Sequence, residues 1–246
     1  MQRQTLKKHL IELKRSILRI SLVFVIIFSV CYYFSDNIYN ILLRPLAKLS
    51  DNNTRKIIYT SLTEAFFSYI KLAAFSAFMI IIPFLSIEIY FFASPGLYKN
   101  EKRLAAFILL LSPILFWLGA IFVYYYVMPN AWKYFLSFEH HDNGVMPIIL
   151  EAKISEYLNL TIQLIVAFGC AFQIPIILII LTLVNIIKIA DLQQNRRLAV
   201  VINFIIAGIL APPDVISQFI LAIPMLLLYE ISIILCKYIQ NKEIKC

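Results

Sequence analysis

Glycine is scarce in this chain, with five residues in 246. A phosphate-cradling P-loop or a glycine-rich dinucleotide fingerprint needs several glycines at fixed spacing, and neither pattern is present. Histidine is scarcer still: His9, His140 and His141 all fall outside the long apolar runs, which excludes a haem held between helices. The four cysteines, Cys31, Cys170, Cys236 and Cys246, lack metal-ligand spacing and read as small apolar side chains. Glu139-His140-His141-Asp142 could ligate a metal but reads first as a solvated loop tip. No nucleophile, base and oxyanion set can be assembled. The expectation is a protein that is not an enzyme and carries no metal or cofactor. The basic start has no small-residue cleavage site after it, so no cleavable signal peptide is expected.

What the chain has in abundance is apolar surface. Hydrophobic residues make up 61% and charged residues 15%, with a mean hydropathy of +0.83. Apolar runs recur along the whole length, and each can cross a hydrocarbon core of roughly 30 Å. The strict alternation of a β-barrel strand is missing. The expected class is therefore an all-α polytopic membrane protein, a single integral domain over residues 1–246. Six spans are expected, at about 17–34, 66–92, 104–127, 157–187, 198–211 and 215–236.

An even number of spans puts both termini on one side, and positive charge decides which. Of the 22 Lys and Arg residues, fifteen group on the face of the termini and six on the other, with Lys71 inside span two. Both termini are therefore expected in the cytoplasm. The net charge of +8 is read as this topological bias and not as a nucleic-acid footprint. The fifth span is short: fourteen helical residues rise about 21 Å, so the bilayer must thin or neighbours must shield its ends. Ahead of span one, Leu6, Leu10, Leu13 and Ile17 share a helical face while Lys7, Lys8 and Lys14 lie off it. That pattern fits an interfacial amphipathic helix in which Glu12 is the only acid.

A few polar groups stand where they are costly. Glu88, Gln173 and Glu230 lie in spans two, four and six. Intramembrane ionisable groups usually face a protein interior or a water-filled cavity. Glu88 and Glu230 are also near enough to the cytoplasmic end to snorkel, and Gln173 can serve as an interhelical hydrogen-bonding group. Pro83, Pro113, Pro175 and Pro224 can kink their helices. The loop Ser94-Pro95-Gly96-Leu97-Tyr98-Lys99-Asn100-Glu101-Lys102-Arg103 is basic apart from Glu101.

The matching residues come in blocks. His9-Leu10-Ile11-Glu12-Leu13-Lys14 opens the chain, and Pro95 to Arg103 forms the first inside loop. Phe168-Gly169-Cys170-Ala171-Phe172-Gln173-Ile174-Pro175 lies in span four. Pro212-Pro213-Asp214-Val215-Ile216-Ser217-Gln218, Leu221-Ala222-Ile223-Pro224 and Leu228-Tyr229-Glu230 mark the last hairpin. In these blocks the chain resembles TatC, the receptor subunit of the twin-arginine protein translocase. Thr63-Glu64-Ala65-Phe66-Phe67 and Glu151-Ala152-Lys153-Ile154-Ser155-Glu156-Tyr157-Leu158 are most similar to the alphaproteobacterial and mitochondrial branch.

The resemblance implies a six-helix, cup-shaped fold with both termini cytoplasmic, in a bacterial inner membrane or an organellar one. It implies binding of signal peptides with paired arginines, partnership with single-span TatA- and TatB-like proteins and with further copies of itself, and export of folded cargo on the proton-motive force. The family's signal-binding acids fall on Glu12 and Glu101. Carboxylates suit that task because the guanidinium fork meets them bidentately. Pro95, Leu97, Lys102 and Arg103 would support that loop at the anionic lipid surface, and Phe92 would line an apolar groove for the rest of the peptide. Pro45 and the Glu64 segment would belong to an outer cap. Asp214, Gln218, Leu221 and Pro224 would lie near the contact with partner helices. Many relatives carry Glu at Gln173 and Arg at Lys102, so a hydrogen-bonding role rather than an obligatory proton carrier is expected at Gln173. On the residues alone, Glu12 and Glu101 could simply pair with neighbouring lysines, and a small-solute secondary transporter is the alternative class. A transporter would predict inverted repeats, and none is visible.

Overall fold

The computed structural model describes residues 2–49, 57–94, 99–139, 151–184, 186–210 and 215–243; for 2–10, 93, 99–101, 104, 210, 215–217 and 238–243 it describes the backbone alone. Among the described residues ten α-helices follow one another: α1 Gln2–Tyr33, α2 Ser35–Ala47, α3 Leu62–Ala93, α4 Lys99–Phe122, α5 Met128–Leu136, α6 Ile154–Ala171, α7 Ile174–Leu183, α8 Ile189–Gln194, α9 Arg196–Leu210 and α10 Val215–Glu243. A π-helical turn, Val123–Val127, joins α4 to α5. No strand occurs among the described residues. Five helical stretches are long and apolar enough to cross a membrane. The expected short span at 198–211 falls on α9, a helix of 15 residues.

Three boundaries differ from expectation. The amphipathic segment and span one are one unbroken helix, α1, because nothing between Thr5 and Tyr33 breaks the apolar and polar helix formers of that stretch. Residues 99–103, expected in a loop, form the first turns of α4; the turn signalled by Pro95-Gly96 lies ahead of them, outside the described residues. Span four is two helices, α6 and α7. Phe172 and Gln173 form a turn between them, with the Gln173 N–H bonded to the Cys170 carbonyl at 3.0 Å. Pro175 sits in the first turn of α7, where its missing N–H costs least.

The helices gather into two compact units. The first comprises residues 1–42, 59–114 and 153–158. There α1 packs along α3, with Cys31, Ala73 and Ala77 buried against Phe24, Ile27, Phe28 and Ile38. Small residues at such an interface let the helix backbones approach. The second comprises residues 43–58, 115–152 and 159–246. Here α10 is central, packed against α7 and α9. Leu192, Tyr229 and Ile233 form its core near the inner ends, with Leu178, Ile187 and Ala199 against them, and the Tyr229 hydroxyl donates to the Leu192 carbonyl at 2.8 Å.

Candidate functional site

The inner end of α1 carries Glu12 on an exposed stretch whose neighbours Ile11, Leu13, Ile17 and Leu18 are exposed too. Within that stretch Ser16 is buried. One turn further on, the Arg19 guanidinium meets the Glu88 carboxylate of α3 at 2.9 Å and donates to the Ser16 hydroxyl at 3.2 Å. The Glu88 side chain is 7% exposed, that of Arg19 59%. Glu88 therefore does not snorkel into water; its charge is met inside the protein, as a desolvated carboxylate requires. Arg19 entered the sequence reading only as one more inside charge. The signal that identifies it is an arginine within a hydrophobic span, which needs a carboxylate partner.

Of the other residues expected at this face, Phe92 is half-buried in the last turn of α3, Lys102 is half-buried and Arg103 exposed in α4. The backbone of Glu101 lies in the first turn of α4, and its side chain lies outside the described residues, as do Pro95 and Leu97. Glu230 of α10 pairs with Arg196 of α9 at 3.0 Å, both about half exposed, another partner that sequence reasoning did not assign. Gln173 caps the start of α7, its carbonyl accepting from the Ile177 N–H at 3.0 Å.

At the outer end, Pro45 is buried in the last turn of α2. Glu64, in the first turn of α3, accepts four hydrogen bonds. Thr60 donates its N–H at 2.8 Å and its hydroxyl at 3.1 Å. Ser155, at the start of α6, donates its hydroxyl at 2.6 Å and its N–H at 3.3 Å. The four bonds tie the Glu64 carboxylate to the segment ahead of α3 and to the first turn of α6. The Tyr157 hydroxyl donates to the Leu42 carbonyl at 2.7 Å, fastening the start of α6 to α2. In the other unit, the Ile58 N–H bonds the Ala152 carbonyl at 3.1 Å.

At the hairpin of α9 and α10, Gln218 donates to the Phe204 carbonyl at 3.0 Å. Leu221 is fully buried and Pro224 half-buried, while Phe219 and Ile223 are exposed. Gln218 and Leu221 are thus engaged within the protein, and the surface an approaching helix would meet here is that of Phe219 and Ile223. Asp214 lies outside the described residues.

Comparison with known proteins places these features. The family model for "Sec-independent protein translocase protein (TatC)" matches residues 8–224. A TatC protein of Rickettsia prowazekii is 62% identical over 98% of this chain and 96% of its own length; that of Escherichia coli K12 is 33% identical over 97% and 90%. A crystal structure titled as the twin-arginine translocase receptor TatC in DDM matches with a TM-score of 0.73 and 36% identity, over 92% of this chain and 98% of that one. Five helices long and apolar enough to cross a membrane among the described residues, and relatives of this kind, make the chain a multi-pass protein of the bacterial inner membrane and a translocase component rather than an enzyme. The chain belongs to the TatC family.

Proposed function

We propose that this chain is the twin-arginine signal-peptide receptor and core subunit of a Tat translocase, moving folded proteins outward on the proton-motive force. The observation that carries the reading is the likeness, over nearly the whole chain, to a solved structure titled as the twin-arginine translocase receptor. The chemistry of the inner face supports it. Glu12 is exposed near the start of the first span, and Glu101 belongs to the first turn of α4. Two carboxylates there offer paired guanidinium groups charge-assisted, bidentate partners. The surrounding Lys14, Arg15, Lys102 and Arg103 favour the anionic membrane surface and oppose basic peptides whose arginines miss the acids. With no nucleotide-binding motif in the chain, work comes from the proton gradient and from partners. TatA- and TatB-like single-span proteins dock at the α9–α10 hairpin, and further copies of the chain complete the assembly.

The reading is tested by photo-crosslinkers placed at Leu13 and Lys102 in native membranes, with a radiolabelled twin-arginine precursor. Both positions should crosslink to the precursor, and a twin-lysine version should give neither product. Equal crosslinking of both precursors, or of neither, overturns the reading.

A further inference from the structure

The contact between Arg19 and Glu88 has a place in the architecture that its chemistry alone does not suggest. Among the described residues, an apolar cluster of α1 on α3 forms around Phe24, Ile27, Phe28 and Cys31. The large side chains of α1 from Ile11 to Leu18 are exposed, so within that stretch apolar burial does little to fix the helix. What α1 does bury there is polar: Ser16, and through Arg19 the charge of Glu88. Apolar contacts tolerate sliding and rotation. A 2.9 Å ion pair to a carboxylate that is 7% exposed does not, because any displacement leaves a charge unpaired in an apolar setting.

The geometry of the two helices carries this constraint to the receptor acids. Glu12 precedes Arg19 by seven residues in the same helix, about 10.5 Å along the axis and within about 20° of the same face. Turning Arg19 toward α3 therefore turns Glu12 the same way. Glu88 stands five residues before the end of α3, the helix whose connection leads into the first turn of α4 and Glu101. We infer that the Arg19–Glu88 pair is a positioning clamp: it fixes the inner end of α1 against the inner end of α3 and so sets the spacing of Glu12 and Glu101. The inference rests on the receptor reading for what the two acids bind. Neither Arg19 nor Glu88 touches the ligand in this account.

The test uses the full chain, in membranes with its partner proteins for binding and purified in nanodiscs for distance. Arg19→Gln, Glu88→Gln and the exchanged pair Arg19→Glu/Glu88→Arg are compared. For distance, cysteines at 12 and 101 carry spin labels, with the four native cysteines replaced by Ala; this arm needs no peptide and decides the clamp even if the receptor reading fails. The distance distribution should be narrow in the native background, broaden in each single variant and narrow again in the exchanged pair. For binding, each single variant should lose about tenfold in affinity for a fluorescent twin-arginine peptide, counted per folded protein, and the exchanged pair should return to within about threefold of native. A merely structural pair would lower the folded fraction in the single variants and leave both readouts of the folded protein unchanged, which overturns the inference. If Glu88 itself gripped the peptide, Glu88→Arg would lose binding in the exchanged pair too, and Arg19→Gln would tighten it; either result also overturns it. Should the single variants fail to accumulate, the exchanged pair decides alone: native-like spacing and binding support the clamp, their loss refutes it.

Discussion

The Ser155 hydroxyl donates to Oε1 of Glu64 at 2.6 Å, joining the starts of two helices that lie 91 positions apart in the chain. Glu64 also accepts from the Thr60 N–H and hydroxyl just ahead of its own helix. One carboxylate thus ties the segment before α3 to the first turn of α6, where negative charge at a helix start is also favoured. Glu64→Gln and Ser155→Ala should each lower the thermal midpoint of the purified protein by a few degrees. Ser155→Thr, which keeps the hydroxyl, should not.

Gly119 and Gly169 mark a tight crossing of α4 and α6. A Cβ on Gly119 would stand 2.9 Å from the Phe168 carbonyl oxygen, 3.0 Å from the Phe172 ring and 3.2 Å from the Cα of Gly169. A Cβ on Gly169 would meet the Phe116 ring at 2.5 to 2.9 Å. At Gly119 part of the obstacle is backbone, which cannot move aside as a side chain can. Gly119→Ala should cost about 1–3 kcal/mol through overpacking, read as a lower unfolding midpoint and lower protein level. Gly208→Ala meets only the end of the Gln218 side chain, at 3.0 Å, and should cost less than either.

The orientation is checked by labelling. A cysteine at Tyr59, exposed ahead of α3, should react with an impermeant maleimide added outside intact cells. A cysteine at Asn195, exposed between α8 and α9, should react only after lysis. Reaction of the Asn195 site in intact cells would invert the topology.

Much of this architecture is legible in the residues because membrane insertion writes its rules into composition. Apolar runs mark the spans, and Lys and Arg mark the inner loops. What escaped are the relations between distant residues. Arg19 and Glu88 are 69 positions apart, and nothing local to either names the other. Ser155 reads as a polar residue at a helix start until Glu64 is placed beside it. Pro175 announced a disturbance in span four, yet the turn at Phe172-Gln173 is too short to interrupt the apolar run. Nothing local to Gly119 or Gly169 signals the close contact that each makes. Glu12 and Glu101, the acids proposed to bind the signal, come from the family resemblance, since a lone Glu beside lysines reads equally well as a surface pair.

For those acids the expectation is loss of function with charge. Glu101→Gln keeps shape and hydrogen-bonding capacity but removes the charge that a guanidinium pairs with. Export of a twin-arginine reporter should fall to background in Glu12→Ala, Glu101→Ala and Glu101→Gln at normal protein level. Peptide binding to the native protein should weaken as salt rises, because exposed charges are screened over about 8 Å at physiological ionic strength. Normal export in Glu101→Gln would mean that the carboxylate charge is not what recognises the signal.

The short hairpin carries the last expectation. At 15 residues, α9 rises about 22 Å and leaves about 8 Å of a roughly 30 Å core unmatched. Mismatch costs fractions of a kcal/mol per ångström, so one short helix can hold a thinned patch of bilayer beside recruited single-span partners, where less work is needed to open a path for folded cargo. Lengthening the hairpin tests this. Seven apolar residues added after Leu210 and seven before Val215 extend both helices by about 10 Å and nearly two full turns. They leave the Gln218 to Phe204 bond, and the approach of Gln218 to Gly208, in place. The lengthened protein should fold and bind a twin-arginine peptide with native affinity, because Glu12 and Glu101 are untouched. Cargo export should be blocked. Export at the native rate would separate the length of α9 from transport, and its shortness would then be only a way of packing against α10.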